Sequence, residues 1–206
     1  SIGGLLGYGS GTSITDSYHI TGKVTALNTN EGGLGGLVGG LFNSGTILNS
    51  YATSEVAGEG YTGGLIGYLS SSRIEKSYAT GKVTGTTNVG GFVGKVNDSS
   101  VIANVYANGD VIANGINVGS LIGAFDGSQL TNSYASGKIT QTGLDQALET
   151  TKGLIGNADG EITNSFYNST KNVGMADETL FGKTTAQMNT LATYSDAGWD
   201  IAANTT

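Results

Sequence analysis

Apolar and polar residues alternate along this chain in short runs, and one arrangement of runs recurs six times. Most copies begin with Gly-Gly, two large apolar residues and Gly, as in GGLIG at residues 63–67. An Asn-Ser-Tyr-Ala-like element follows, and its aromatic residues are spaced by 33, 27, 28, 28 and 32 positions. They are Tyr18, Tyr51, Tyr78, Tyr106, Tyr134 and Phe166. This period is typical of a stacked array in which each copy needs neighbours to bury its apolar face.

Within a copy, the pattern favours strands over helices. The third copy has β-prone runs at residues 65–69, 73–79 and 82–84, separated by Gly, Ser, Asn and Thr. Short runs bounded by such residues are typical of β structure, and no amphipathic helical period spans a full copy. We therefore predict an all-β fold for residues 1–170, a right-handed parallel β-helix (β-solenoid) of about six coils with three short strands each.

Stacking places equivalent residues in columns, and several columns can be predicted. Three are aliphatic, and one of these holds Ile14, Ile47, Ile74, Ile102, Leu130 and Ile162. Another column alternates in charge and holds Lys23, Glu55, Lys82, Asp110 and Lys138. Opposite charges attract at the ~4.8 Å spacing of neighbouring strands, whereas a slip of one coil would place like charges together. The charged column therefore indicates that consecutive copies stack directly.

Two columns concern the Asn-Ser-Tyr-Ala-like element. We expect its aromatic residues to be mostly buried as a stack. Two positions earlier the copies carry Asp16, Asn49, Lys76, Asn104, Asn132 and Asn164. Asparagine tolerates positive φ, so a backbone bend is predicted at this column.

The end of the chain departs from the repeat. Residues 171–206 are predicted to form a capping segment, in which Thr184 and Gln187 match a capping box that starts a short helix near residues 185–193. Trp199, the only tryptophan, is expected to pack over the last coil. Because a solenoid end exposes strand edges, the opposite end, where no comparable segment precedes Gly3, is expected to need flanking repeats or domains of the same polypeptide, or another subunit.

Composition narrows the possible partners. The 206 residues carry a net charge of −7, and an acidic surface repels nucleic acid and anionic membranes. The absence of cysteine excludes disulfides and thiolate chemistry, and no apolar run is long enough for a membrane-spanning helix.

Residues that could carry chemistry are sparse, so we predict no catalytic residues, no cofactor and no enzyme activity. The only histidine, His19, is interpreted as an outward substitution of the repeat alanine. Residues 58–63 match GxGxxG but precede a strand rather than a helix, so a phosphate-binding loop is not expected. A weak Ca²⁺ site is possible where Asp98, Asp126 and Asp159 fall in the same turn of three consecutive copies.

Two longer excursions, at residues 26–33 and 142–151, are the best candidates for protrusions that contact a ligand. The candidate contact residues are Asn28, Asn30, Glu31, Asp145, Gln146 and Glu149.

The elements GGLIG and NSYATGKVTG of these copies resemble the GLUG repeat of large bacterial surface and secreted proteins, including filamentous-haemagglutinin-like adhesins. The resemblance covers about residues 3–201 and implies a secreted or cell-surface segment. Such a segment would bind host, cell or matrix ligands, either glycan or protein, or act as a rigid spacer.

Three alternatives remain open. One is a polysaccharide-processing β-helix enzyme, although Arg73 is the sole arginine. Another is an ice-binding solenoid, although Ala57 and Ile112 interrupt the threonine column. The third is a self-assembling filament, which a carboxy-terminal cap would oppose.

Overall fold

In the computed structural model, which describes residues 1–27, 32–143 and 151–200, the chain winds into about six coils of parallel strands. Coil 1 contains β1 (Ile2–Gly3), β2 (Leu6–Ser10), β3 (Ser13–Thr15), β4 (Tyr18–His19) and β5 (Lys23–Ala26). Coil 2 contains β6 (Gly33–Gly35), β7 (Val38–Phe42), β8 (Thr46–Leu48), β9 (Tyr51–Ala52) and β10 (Glu55–Gly58). Coil 3 contains β11 (Tyr61–Gly63), β12 (Ile66–Ser70), β13 (Arg73–Glu75), β14 (Tyr78–Ala79) and β15 (Val83–Gly85).

The later coils follow the same order. Coil 4 contains β16 (Val89–Gly90), β17 (Val93–Asn97), β18 (Val101–Ala103), β19 (Tyr106–Ala107) and β20 (Val111–Ala113). Coil 5 contains β21 (Val118–Gly119), β22 (Ile122–Thr131), β23 (Tyr134–Ala135) and β24 (Ile139–Gln141). Coil 6 contains β25 (Ile155–Thr163) and β26 (Phe166–Asn168). The cap adds α1 (Glu178–Phe181), β27 (Gly182–Lys183), α2 (Thr185–Met188) and α3 (Leu191–Ser195).

In the described part of the chain, stacking of equivalent strands produces four parallel sheets. One joins β1, β6, β11, β16 and β21, and a second joins β5, β10, β15, β20 and β24. The third runs through β2, β7, β12, β17 and β22 and returns through β18, β13, β8 and β3, with β25 paired to β22. The fourth joins β4, β9, β14, β19, β23, β26 and β27.

The prediction of a parallel β-solenoid is confirmed, but the prediction of three strands per coil is wrong. Coils 1–4 each contain five short strands. The predicted run at residues 73–79 is divided into β13 and β14 because Lys76 bends the backbone with φ of 49°. The other members of its column have φ between 48° and 56°, so the predicted bend is confirmed.

The core lies inside the coils, as the aliphatic columns predicted. Ile74 pairs with Ile47 and Ile102, and all three are buried. The repeat glycines are required by close approach between coils. A Cβ on Gly64 would collide with the carbonyl oxygen of Gly91 in the next coil.

Buried serines satisfy the backbone where the coils turn. Ser77 Oγ accepts a hydrogen bond from Ser50 N at 3.1 Å and donates one to Glu75 O at 2.7 Å. Ser133 N donates in the same way to Ser165 Oγ at 3.2 Å. These hydrogen bonds recur between coils and explain why serine precedes the aromatic residue in most copies, because buried polar groups need hydrogen-bond partners.

Candidate functional site

The ligand-contact candidates lie outside the residues that the structure describes. These are Asn28, Asn30, Glu31, Asp145, Gln146 and Glu149. Their assignment as contact residues stays a prediction.

The three aspartates of the possible Ca²⁺ site are only partly brought together. Asp126 and Asp159 are aligned in β22 and β25. Asp98 is not part of this register; it has φ of 58° and accepts a hydrogen bond from Ser70 Oγ at 2.7 Å. Lys95 Nζ lies 3.9 Å from Asp126 Oδ2 and supplies a positive charge there. No three metal-ligating side chains form a group in residues 1–27, 32–143 and 151–200; Ca²⁺ binding stays a prediction.

The aromatic column faces outward, which corrects the expectation that it is mostly buried. Tyr51, Tyr78, Tyr106 and Tyr134 are half-buried, Tyr18 is exposed, and only Phe166 is buried. The five tyrosines form a stack, which we call the tyrosine ladder. Its ring centroids are 4.6–5.3 Å apart, with interplanar angles of 4–15°. In the ladder, ring faces are covered by neighbouring rings and ring edges face outward.

Burial and neighbouring phenols suppress ionisation of three ladder residues, Tyr78, Tyr106 and Tyr134. Burial raises the pKa of Tyr78 and of Tyr106, and in each case the preceding tyrosine adds to the effect. Burial, Tyr106 and Tyr194 raise the pKa of Tyr134 to about 12. Tyr78, Tyr106 and Tyr134 are therefore uncharged at neutral pH.

The charged and threonine columns have the predicted register. Glu55 is aligned with Lys23, and its Oε1 lies 3.5 Å from Lys82 Nζ. The outward column beside it holds Thr25, Ala57, Thr84, Ile112 and Thr140. Because threonine is interrupted in alternate coils, this face lacks the regular array that ordering of ice would require.

His19 was interpreted as an outward substitution, and the structure corrects this. His19 is aligned with the buried Ala52, and its ring lies against Gly4 as Ala52 lies against Gly36. Its Nδ1 is 2.9 Å from Ser54 Oγ. The histidine thus fills the alanine position of the first coil.

The carboxy-terminal end is closed by side chains that replace a further coil. In earlier coils, backbone N–H groups such as Leu121 N donate to carbonyls of the following coil. In coil 6 the buried carboxylate of Asp177 accepts from Gly153 N at 2.7 Å and from Leu154 N at 2.9 Å. Asp177 therefore supplies the acceptors that a seventh coil would provide.

Other cap residues complete this closure. The buried Asn172 accepts from Ile139 N at 2.7 Å through Oδ1 and donates to Gly137 O at 3.0 Å through Nδ2. Trp199 Nε1 donates to Asn164 O at 2.8 Å, and the indole stacks 6.5 Å from the ring of Phe166. The predicted packing of Trp199 over the last coil is thus confirmed.

The predicted helical start is confirmed as well. Thr184 Oγ1 accepts from Gln187 N at 3.2 Å, and Thr184 N donates to Gln187 Oε1 at 2.8 Å, which completes the capping box. The helix predicted near residues 185–193 is divided into α2 and α3.

The amino-terminal end is open by contrast. Strands β1–β5 all stand at the ends of their sheets, so each has one edge to which no strand of the described residues is paired. The exposed large apolar residues of this end are Ile2, Leu5, Tyr8, Tyr18 and Ile20. An end with open edges and exposed apolar side chains is a surface on which another strand layer can pack.

A second aromatic feature lies on a different face of the rod, and sequence reasoning missed it. It comprises Tyr8, Phe42, Tyr61 and Tyr68, which we call the aromatic strip. Tyr8 and Phe42 stack with centroids 4.9 Å apart, and Tyr68 meets Phe42 edge-on at 5.2 Å. Tyr61 meets Tyr68 at 5.2 Å with an interplanar angle of 60°. A partial signal was available, because the residue directly after the glycine element is tyrosine in the first and third copies.

Gly40 makes this strip continuous. Register places Gly40 between Tyr8 and Tyr68 in one outward column. A Cβ at Gly40 would come within 2.7 Å of the Phe42 ring, so glycine leaves the space that this ring occupies.

Polar groups border the strip in coils 3 and 4. Lys95 Nζ lies 5.4 Å from the centroid of the Tyr61 ring, and Asn97 Nδ2 donates to Tyr68 Oη at 3.1 Å. Burial, followed by Asp98 and Tyr61, raises the pKa of Tyr68. Among the described residues, Asn97 Oδ1 has no hydrogen-bond partner.

Clefts lie beside the cap. A cavity of 270 Å³ lies between Tyr134, Lys171 and Tyr194, and no carboxylate lines it in the described part of the chain. A larger, mainly apolar cavity of 470 Å³ reaches Asp177, whose two oxygens already bind backbone N–H groups. In residues 1–27, 32–143 and 151–200 no helix has the length and hydropathy needed to span a membrane.

Comparisons with known proteins bear on the repeat. The family model described as the GLUG motif matches residues 30–57, 58–84, 85–112 and 114–140, together more than half of the chain. Halomucin of Haloquadratum walsbyi (strain DSM 16790 / HBSQ001) is 44% identical over 70 residues, covering 32% of this chain. The match covers 1% of the length of halomucin. No solved structure matches this chain.

Proposed function

Because the chain belongs to the GLUG-motif family, we propose that it is a non-catalytic, adhesive segment of a secreted or cell-surface protein of the filamentous-haemagglutinin-like kind. The observation that supports the proposal is that repeated and non-repeated residues have different roles in the rod. Residues that repeat are used for packing and for hydrogen bonding between coils, whereas large exposed apolar side chains occur in the first coil and at departures from the repeat.

The coils suit a rigid spacer. Six coils at the ~4.8 Å strand spacing extend the rod by roughly 29 Å. Ladders of Ile, Ser and Tyr connect each coil to the next, so a load along the rod is distributed over many contacts. A spacer of this kind presents a binding surface at a distance from its anchor.

We further propose that the open amino-terminal end packs against another coil of the same polypeptide. Leu5 is 54% exposed, whereas its counterpart Leu37 in coil 2 is fully buried. Adding one consensus GLUG coil before Ser1 should raise the melting temperature and lower binding of a hydrophobic dye. If the added coil stays sensitive to protease and the melting temperature is unchanged, this part of the proposal fails.

Adhesion is tested directly with the purified protein. Fluorescently labelled protein should bind intact cells or extracellular matrix saturably, and unlabelled protein should compete. Absence of saturable binding to cells, matrix and a broad glycan array would remove the adhesive role and leave the spacer role. Release of reducing ends from soluble polysaccharides would contradict the non-catalytic assignment.

A further inference from the structure

The aromatic strip and the tyrosine ladder expose their rings in different ways. Ladder rings are stacked nearly parallel, so each covers the face of its neighbour. In the strip, the ring planes of Phe42 and Tyr68 differ by 87°, and those of Tyr61 and Tyr68 differ by 60°. Rings that meet at such angles cannot all cover one another's faces. The strip therefore combines ring faces and ring edges on one surface.

Such a surface fits a sugar ring. The face of an aromatic ring is electron-rich and attracts the polarised C–H groups on one side of a pyranose, while the sugar hydroxyls point to the rim. The rim of the strip carries polar groups at the required place, with the hydroxyl of Tyr68 beside the side chain of Asn97. Asn97 Oδ1, which lacks a partner among the described residues, is an acceptor that a small shift of the amide would offer to a hydroxyl.

The charges around the strip favour an uncharged ligand. Lys95 is the positive group at the strip, and Asp126 lies 3.9 Å from its ammonium nitrogen. Asp98 adds negative charge beside Ser70, and the chain as a whole carries −7. Sulfated or carboxylated chains would be repelled by this field, whereas a neutral chain would not.

The strip also has a direction and a length. Its central outward column holds Tyr8, Gly40 and Tyr68 in coils 1–3 and continues to Lys95, Ala124 and Asn157 in coils 4–6. With Phe42 filling the gap at Gly40, the strip is aromatic in coils 1–3, and its column is not aromatic in coils 4–6. From Tyr8 in coil 1 to Lys95 in coil 4, three steps of ~4.8 Å give a surface of roughly 14 Å, which accommodates several sugar units in a row. Because the strip breaks the repeat, packing of the coils does not require it.

We propose that the aromatic strip of Tyr8, Phe42, Tyr61 and Tyr68, together with Lys95 and Asn97, is a binding site for a neutral polysaccharide. This inference rests on the proposed adhesive function and assigns it a ligand class and a location.

The test is affinity electrophoresis of the full 206-residue protein in native gels containing dextran, galactomannan or mixed-linkage β-glucan. Heparin serves as the anionic comparison. We expect at least one neutral polysaccharide to retard the protein and heparin to have no effect. Replacing Tyr8→Ser or Tyr61→Ser should weaken the apparent affinity by roughly fivefold or more, since each change removes an aromatic contact.

Tyr18→Ser is the matched control. Tyr18 is 58% exposed and Tyr8 is 60% exposed, and both belong to coil 1, but Tyr18 lies in the ladder. The control should keep wild-type retardation. Circular dichroism and thermal melting of all three variants verify folding, and because the replaced rings are not in the core, folded protein is expected in each case.

Three results would overturn the assignment. They are no retardation by any of the neutral polysaccharides, equal retardation of wild type and strip variants, and equal losses in Tyr8→Ser and Tyr18→Ser. Cell binding is measured on the same samples. Saturable cell binding that the strip variants retain would refute the strip as the site while leaving the adhesive function intact. Absence of saturable binding of wild type to cells, matrix and the glycan array would refute the adhesive function itself.

Discussion

Closure of the carboxy-terminal end by Asp177 leads to a quantitative prediction. Asp177→Ala removes the acceptors of Gly153 N and Leu154 N, and both N–H groups lie in a buried part of coil 6. Hydrogen bonds to charged groups contribute about 1.5–3 kcal/mol each, and losing one partner leaves the other unsatisfied. Two such losses predict a decrease of about 3–6 kcal/mol in the free energy of unfolding. Water entering the vacated space would move the result toward the lower value.

The effect should be local as well as global. Each coil of a solenoid contacts only its neighbours, so the loss should be concentrated in coil 6 and the cap. For a protein of about 200 residues, 1 kcal/mol corresponds to about 2–4 °C, which predicts a decrease of at least about 6 °C in the melting temperature. Hydrogen exchange measured by NMR should show faster exchange at Gly153 and Leu154 than in wild type, with little change at Leu65.

A conservative variant and a matched control sharpen the test. Asp177→Asn keeps one oxygen acceptor and turns an N–H₂ group toward the other backbone N–H, so it should lose at least half as much stability as Asp177→Ala. Asp196→Ala makes the same substitution at an exposed position of the cap and should stay within about 0.5 kcal/mol of wild type. The assignment of Asp177 as a replacement for a coil is refuted by two results together. The free energy of unfolding of Asp177→Ala would be within about 0.5 kcal/mol of wild type, and the amides of Gly153 and Leu154 would exchange as slowly as in wild type.

Other predictions concern the columns. Glu55→Lys places three lysines in succession, together with Lys23 and Lys82. In denaturant melts it should lower the free energy of unfolding by about 1 kcal/mol at low salt and by much less in 1 M NaCl, because salt screens the repulsion. Glu55→Gln is the uncharged control. Since the folded pKa of Tyr134, about 12, lies above its ordinary value of 10.0, its contribution to stability is present below pH 10.0 and is lost toward pH 12. Melting temperatures across that range should therefore fall less steeply in Tyr134→Phe; an equal slope would contradict the pKa. Lys76→Asn should raise the free energy of unfolding by about 0.5–1 kcal/mol, because asparagine tolerates a φ of 49° better than lysine; a decrease in a denaturant melt would contradict this.

Much of the fold followed from the sequence because the relevant forces act between equivalent positions of neighbouring coils. Ile74 lies between Ile47 and Ile102, and Glu55 lies between Lys23 and Lys82, once the period is known. The bend at the asparagine column is a local backbone preference and was predictable for the same reason.

The period alone did not predict whether the aromatic column faces the core or the solvent. A local signal was nevertheless present in the element Asn-Ser-Tyr-Ala. Ser50 and Ala52 are small and buried, and successive side chains of a strand point to opposite faces, so Tyr51 between them must point outward. Reading alternation within the element would have corrected the expectation of burial.

The cap and the strip were harder to predict because their contacts join positions that the repeat does not relate. Asp177 meets Gly153 and Leu154 only after the chain has passed through β26 and the following turn. The Phe42 ring reaches the strip because Gly40 is small, although Phe42 is displaced by two residues from the position of Tyr8 and Tyr68 in their copies. Such contacts depend on side-chain direction, which a column of aligned letters does not specify.

The tyrosine ladder and the aromatic strip therefore use aromatic residues in opposite ways. In the ladder, tyrosine occupies the same position in coils 1–5, so neighbouring rings lie nearly parallel. The stacked rings stabilise the rod, and each covers the face of its neighbour. In the strip, Tyr8 and Phe42 stack, but Tyr68 meets Phe42 edge-on, and Gly40 adds no side chain between Tyr8 and Tyr68, so ring surface is left for a ligand. We therefore expect that a substitution which restores parallel ring stacking in the strip should weaken polysaccharide binding. Gly40→Tyr would displace the Phe42 ring and favour a second ladder, and under this reasoning it should weaken polysaccharide binding even though it adds an aromatic residue.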